Sequence, residues 1–330
     1  NTPKETDLPA TTVKAGTPDV TVPTTVTYPN GTETVAVPVT VLPKATPEKV
    51  ITLKDTTSDN LTTTVKEKAQ EALGKLTLPS GITAELVPNQ KYAVPTTDSN
   101  GDKDNVPVKV QYKDATGTVV AEDTISVPVT VVEGVPQIVP VDENNKQPNP
   151  ENSIDKTEYP DGSTFEYDPK TPIDTTTPGD YTVNVIVKDK DGNPIAEVPA
   201  TVRVVESYPQ FVPVDKDNKQ PTVEGSIDPK AFPKDTEFTY ESPVDTTTPG
   251  EKDVVVVAKI GDKVITKVPA KVMVVEPKTQ YVPVDKSNKQ PDASKSIDLE
   301  QYPDGVTFNY KTPVDTTTPG EKDVIVEAKD

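Results

Sequence analysis

Carboxylates are the abundant side chains of this sequence that bind metals and move protons, so their spacing decides which chemistry is open. The chain holds 53 Asp and Glu but no His and no Cys. That composition removes the commonest general bases, the thiolate nucleophile and most transition-metal ligands. Catalysis by a pair of carboxylates stays formally open, yet the acids sit in turns that recur along the chain, and a catalytic site is not expected in every copy of a repeat. Asp98-Ser99-Asn100-Gly101-Asp102-Lys103-Asp104 offers oxygens at alternating positions. A calcium loop starting at Asp98 needs Gly at its sixth place and Glu at its twelfth, and those places hold Lys103 and Lys109. Asp189, Asp191 and Asn193 fall in a hairpin turn, where such residues occur for conformational reasons. Asp174, Asp245 and Asp315 each precede Thr-Thr-Thr, which predicts carboxylates that accept backbone N–H groups of their own turns. No phosphate-binding loop of the G-x-x-x-x-G-K type is present, and no Lys, Asn and acid stand out as an isopeptide trio. The sequence therefore nominates no catalytic, cofactor-binding or metal-ligating residue and no cofactor, and predicts that the chain is not an enzyme.

The elements that hold these turns are repeats. Val-Pro-Val-Asp occurs at Val139–Asp142, Val212–Asp215 and Val282–Asp285, a step of roughly 70 residues, typical of tandem modules. Each copy runs on to Lys-Gln-Pro, then to Ser-Ile-Asp at Ser153, Ser226 and Ser296. An aromatic–Pro step follows at Tyr159-Pro160, Phe232-Pro233 and Tyr302-Pro303, and Asp-Thr-Thr-Thr-Pro-Gly closes the series at Asp174–Gly179, Asp245–Gly250 and Asp315–Gly320. Val-Pro followed by alternating valines recurs at Val37, Val127, Val198 and Val268, each after a turn sequence, so each unit is expected to close on a β-hairpin.

Within the unit 207–276 the pattern predicts strands at Gln210–Pro213, Thr236–Tyr240, Asp253–Lys259, Lys263–Val268 and Ala270–Val275. A helical turn is predicted at Ser226–Phe232, capped by Ser226 or Asp228. Phe238 and Tyr240 share one face, and Pro249-Gly250 makes the turn between Thr248 and the central strand. Residues 44–133 differ. Leu61, Val65, Ala69, Ala72, Leu73 and Leu76 recur at helical spacing, predicting one helix near 61–76, capped by Asp59 or Asn60, that covers the domain. The expected domains are 1–43, the C-terminal part of a unit; 44–133, divergent with a helix; 134–206 and 207–276, full repeats; and 277–330, a repeat stopping before its closing hairpin. A disordered start is expected at Asn1–Pro9. Ends that fall inside units predict a longer parent.

Domains of about 70 residues bury only about 60% of their unfolded surface and are marginal alone. No disulfide assists here, so contact between neighbouring repeats in cis is expected to contribute. The passages between units are short, with Pro209 stiffening one of them and Tyr208 and Phe211 placed to pack at the junction, which predicts a semi-stiff rod. The formal charge of −19 keeps such a surface solvated and repels phosphates, excluding nucleic acid as a partner. No apolar run is long enough for direct membrane insertion.

The Tyr-Pro-Asp-Gly step, the Thr-Thr-Thr-Pro-Gly turn and the Val-Pro-x-x-Val-x-Val-Val strand resemble the Rib/alpha-like repeat of Gram-positive, streptococcal and lactobacillar, cell-surface proteins. The resemblance covers Val135–Asp330 and, at its closing hairpin, Thr25–Pro43; residues 44–133 match only at their hairpin. It implies a mostly β fold of tandem, small immunoglobulin-like β-sandwich domains, one of them carrying an added α-helix. It also implies an extracellular location at the bacterial cell wall, anchored through sequence outside this segment, and a structural stalk or spacer that projects a distal adhesive domain. The alternative is an adhesin whose repeats, or whose 44–133 unit, bind a host matrix protein or glycan directly.

Overall fold

The computed structural model describes residues 20–28, 31–95 and 104–329. Strands dominate, and one α-helix stands among the described residues. Two compact units divide the chain, and the division passes through the repeat at 134–206. One unit reaches to Gly134 and adds Ile154–Glu166 and Val185–Pro199; the other takes Val135–Ser153, Tyr167–Asn184 and Ala200–Asp330.

In the first unit, β1 (Val20–Tyr28) and β2 (Gly31–Val39) form an antiparallel hairpin, with Val20 opposite Val39 and Tyr28 opposite Gly31. The next sheet consists of β3 (Val50–Leu53), β4 (Thr83–Leu86), β5 (Asp104–Lys113) and β6 (Val119–Val132), in the order β3-β6-β5-β4. β3 runs parallel to the end of β6, and the other pairs are antiparallel. The crossover from β3 to β4 is α1 (Ser58–Gly74). Its Leu61, Val65, Ala69 and Leu73 recur at four-residue steps and bury against Val108, Val110, Ile125, Val127 and Val129 of the sheet, as an amphipathic stripe requires.

The strand order recurs. β7 (Gln137–Pro140), β8 (Thr164–Tyr167), β9 (Gly179–Lys188) and β10 (Pro194–Val205) assemble as β7-β10-β9-β8. β11 (Gln210–Pro213), β12 (Glu237–Tyr240), β13 (Gly250–Ile260) and β14 (Lys263–Val275) assemble as β11-β14-β13-β12. β15 (Thr307–Tyr310) and β16 (Val326–Lys329) pair as β12 and β13 do. The register of the parallel pair is also shared: Leu53, Pro140 and Pro213 lie opposite Val132, Val205 and Val275. Residues 44–133 thus carry the sheet of the repeats, although their sequence agrees only at the hairpin. Where they use α1, the repeats cross over through short 3-10 turns, such as Pro150–Ser153 with Lys156–Glu158 and Val223–Gly225 with Pro229–Ala231.

Period-two alternation builds the core of 207–276. Val256, Ala258, Val268, Ala270, Val272 and Val274 are buried together with Ile227, Phe232 and Val244. On the opposite face Lys267 pairs with Glu241 and Lys271 with Glu251.

Four local expectations are corrected. The helix begins at Ser58, and its cap is Thr57, whose hydroxyl accepts the Asn60 N–H at 3.2 Å; Asp59 and Asn60 lie inside the first turn. Leu76 falls beyond the helix but still packs on its core, because the chain turns back there through Leu76 N–H donating to Leu73 O. Ser226 closes the preceding 3-10 turn, its N–H donating to Val223 O, and does not start the next one; Asp228 is the N-cap there and accepts from Lys230 N–H. Finally, β14 runs unbroken through Pro269, which is exposed opposite Val255; a proline there forfeits one donor without filling the core.

Candidate functional site

Among the described residues, no group of three or more Asp and Glu is placed to hold a metal ion, and no helix is long and apolar enough to cross a membrane. Asp98–Lys103 and Asn1–Pro9 lie outside the described residues. Asp189 accepts the N–H groups of Asp191 and Asn193, at 2.9 and 2.8 Å, inside its hairpin turn.

The repeated residues instead build two polar networks. In the first, Asn218 takes a left-handed backbone (φ 53), which Asn tolerates better than most residues. Its Oδ1 accepts both the N–H and the hydroxyl of Thr246, at 2.8 and 3.1 Å, and Thr246 is buried at 1% exposure. Gln220 spans the same gap: its Nε2 donates to Val244 O, and its Oε1 accepts from Val244 N–H. The latch recurs as Asn288 with Thr316 and Gln290 with Val314, and as Asn145 with Thr175 and Gln147 with Ile173. It ties the Val-Pro-Val-Asp segment to the Thr-rich turn. In that turn Asp245 accepts the N–H and hydroxyl of Thr247 and, at 2.5 Å, the hydroxyl of Thr248. Those donors hold its carboxyl far below the usual carboxylate range, and Asp174 and Asp315 are lowered for the same reason.

The second network sits at the start of each repeat. The Tyr240 hydroxyl donates to Gln210 Oε1 at 2.9 Å and lies 2.9 Å from the hydroxyl of fully buried Ser226. Tyr167 meets Gln137 and Ser153 in the same way, and Tyr310 meets Gln280 and Ser296. Burial raises the phenol pKa of Tyr167 and Tyr240.

Each unit also shows how one repeat meets the next. In the first unit, Lys49 Nζ donates to Glu158 O at 3.0 Å. In the second unit, Arg203 Nη1 donates to Ala231 O at 3.0 Å while Nε and Nη2 clasp both oxygens of Asp180. Glu158 and Ala231 are matched residues, each just before the aromatic–Pro step. Ile138 and Val205 join the buried cluster that contains Phe232 of the following repeat. At the next joint Phe211 stacks on Tyr302, with ring centroids 4.9 Å apart and planes 10° from parallel. The aromatic of the step is itself braced edge-on within its own repeat: Tyr159 by Phe165, Phe232 by Phe238 and Tyr302 by Phe308. Phe211 does pack at a joint, but at the one with the following repeat, on Tyr302, and not at the passage from the preceding repeat where it was expected. Tyr208 stays 43% exposed and donates to Glu206 instead.

The Rib domain matches at residues 133–206, 209–276 and 275–329, more than half of the chain. The chain belongs to the Rib domain family. Rib domains are repeats of surface proteins, and that coarse role comes with the family. The strand content and curled sheets fit tandem immunoglobulin-like β domains. No curated protein matches the chain. Among solved structures, Drosophila N-cadherin EC1-3 is similar at 9% identity and TM-score 0.16, over 70% of this chain and 98% of that one. Human mucin-like protocadherin EC1-2 shares 13% identity at TM-score 0.14, over 48% of this chain and 96% of that one. The sialic acid binding region of a Streptococcus sanguinis SK1 adhesin shares 11% identity at TM-score 0.16, over 73% and 68%. Scores this low carry no argument for function.

Sequence reasoning missed the Asn–Thr latch and the Tyr–Ser–Gln network. Their signal was present: Asn145, Asn218 and Asn288 stand at one offset after Val-Pro-Val-Asp, and Gln137, Gln210 and Gln280 at one offset before it.

Proposed function

We propose that these Rib repeats are non-catalytic spacers, the stalk of a Gram-positive surface protein that holds a distal adhesive domain away from the cell wall. The observation that carries this reading is the joint. In two successive junctions a cation of one repeat grips the backbone carbonyl just before the aromatic–Pro step of the next. In the following junction an aromatic ring, Phe211, stacks instead on the aromatic of that step, Tyr302. This arrangement suits a spacer, because repeats fixed to their neighbours add length in proportion to their number, whereas freely hinged ones add it more slowly. The latches and turns that recur are occupied within their own repeats, which supports a structural use for them.

Small-angle scattering on chains with two, three and four repeats tests the reading. The maximum dimension is expected to rise by an equal step per repeat; a dimension growing only as a compact particle does would overturn it. Direct ligand binding by residues 44–133 is the competing reading. There, α1 commits its apolar face to its own sheet, which favours a covering role, and binding of the chain to matrix proteins or glycan arrays decides between the two.

A further inference from the structure

Two buried hydroxyls of the first unit face one joint and meet no partner among the described residues: Thr130 Oγ1 and Tyr159 Oη. Thr130 is 0% exposed and Tyr159 6%. Thr130 lies opposite Ile51 in its parallel strand pair, as Arg203 lies opposite Ile138 and Met273 opposite Phe211. Those matched sites meet the next repeat at or just before its aromatic–Pro step, where Arg203 donates to Ala231 O and Phe211 stacks on Tyr302. Lys49, one residue before β3, reaches Glu158 O, so the first joint sets Glu158-Tyr159 against the same end of β3 and β6. At the second joint a long guanidinium side chain takes the place of Thr130, and Phe232, which has no hydroxyl, stands for Tyr159. No buried side-chain oxygen is stranded there among the described residues. At the third joint Met273 brings no donor, and Gln301 Oε1, at the site of Ala231, is stranded.

We propose that the joint between 44–133 and 134–206 holds one internal water molecule, which bridges Thr130 Oγ1 and Tyr159 Oη. Threonine in place of arginine removes bulk from the joint while leaving a polar atom in it. A buried site that is both polar and roomy is filled by water, which makes about three hydrogen bonds there. Water can accept from the Tyr159 hydroxyl and donate to Thr130 Oγ1, whereas a hydroxyl buried with nothing to bond gives up its solvation without return. The charges at the joint select a neutral ligand. The Lys49 ammonium repels a cation. Burial and the Glu158 carboxylate together push the Tyr159 phenol up to about 12, and the same surroundings repel an anion. The site follows from this joint alone and does not depend on the spacer reading.

Magnetic relaxation dispersion of water oxygen counts the waters that stay inside a protein far longer than those on its surface, and it tests the site on the full chain. Thr130→Val combined with Tyr159→Phe removes both polar atoms while keeping the shape of the joint. The count is expected to fall by one long-lived water, with the unfolding midpoint little changed, because the water and its partners leave together. Thr130→Arg, which installs the residue of the matched site 203, is expected to expel the same water. An unchanged count in either folded variant overturns the proposal. A crystal structure of the unaltered chain tests it without any substitution, which guards against variants that fail to fold. The expected density is a single water within hydrogen-bond distance of both hydroxyls. A direct Thr130–Tyr159 hydrogen bond, a larger solute in that place, or no density between the two overturns the proposal.

Discussion

At the scale of single residues, the repeats are held by side chains that substitute for missing backbone partners. Asn218 does two things at once, adopting φ 53 and accepting both donors of buried Thr246. Asn218→Gly keeps the conformation and loses the acceptor, so a loss of about 1–3 kcal/mol is expected in urea unfolding. Asn218→Ala is expected to cost about 1 kcal/mol more, from the left-handed backbone alone. Tyr159 gives the opposite case. Burial pushes its phenol pKa up to about 12, and its hydroxyl is buried without a partner among the described residues, while the matched residue is Phe232. Tyr159→Phe is therefore expected to leave stability unchanged or raise it by up to about 1 kcal/mol in the same assay. The turn carboxylates set the response to acid. Asp174, Asp245 and Asp315 titrate below their unfolded-state range when folded, so their contribution is complete above about pH 4 and is lost as pH falls through the folded-state values. Melting temperature measured between pH 5 and pH 2 is expected to fall, and to fall less steeply in a variant with all three replaced by Asn.

At the scale of elements, the crossover segment is the part that differs between units sharing one sheet: a 17-residue helix in 44–133 and paired 3-10 turns in the repeats. Leu61 is 1% exposed against the sheet, so Leu61→Ala is expected to cost about 2–5 kcal/mol in thermal or urea unfolding. Gly225 guards the tighter crossover. A Cβ there would collide with the Gln210 side chain amide, so Gly225→Ala is expected to dislodge Gln210 from Tyr240 and Ser226, seen as a shifted Tyr240 hydroxyl environment by NMR. Much of this was legible beforehand. β11 at Gln210–Pro213 and the turn at Gly250 follow from alternation and from Pro249-Gly250, and α1 follows from its apolar stripe. What was not legible depends on pairing across space. That residues 44–133 share the order β3-β6-β5-β4 with the repeats is a property of strand neighbours, which single-strand patterns do not encode. The latches were hidden for a similar reason: Asn218 and Thr246 meet across 28 residues of chain, and turn chemistry alone assigns each a merely local role. Arg203, which occurs once and grips Ala231, left no repeated trace to read.

At the scale of the whole molecule, the joints differ in chemistry while all meeting the next repeat at or just before its aromatic–Pro step. Phe211→Ala removes the ring that meets Tyr302 and is expected to lower the unfolding free energy by about 1–3 kcal/mol, checked by urea unfolding of the full chain. Arg203→Met, which installs the residue found at the matched site 273, removes the hydrogen bond to Ala231 O as well as the solvent-screened Asp180 pair, and is expected to cost about 1–3 kcal/mol in urea unfolding. The parallel pairing of each repeat's first and last strands has a consequence of another kind. β11 enters its repeat and β14 leaves it, and the two are bonded neighbours running in the same direction, as are β7 with β10 and β3 with β6. Tension transmitted along the polypeptide therefore pulls the two strands of each pair in opposite senses along their shared axis. Their backbone bonds are loaded in shear, all together, instead of being opened one by one as at the end of a hairpin. Each such repeat is in that sense a mechanical clamp, gripped at the point where the chain is pulled.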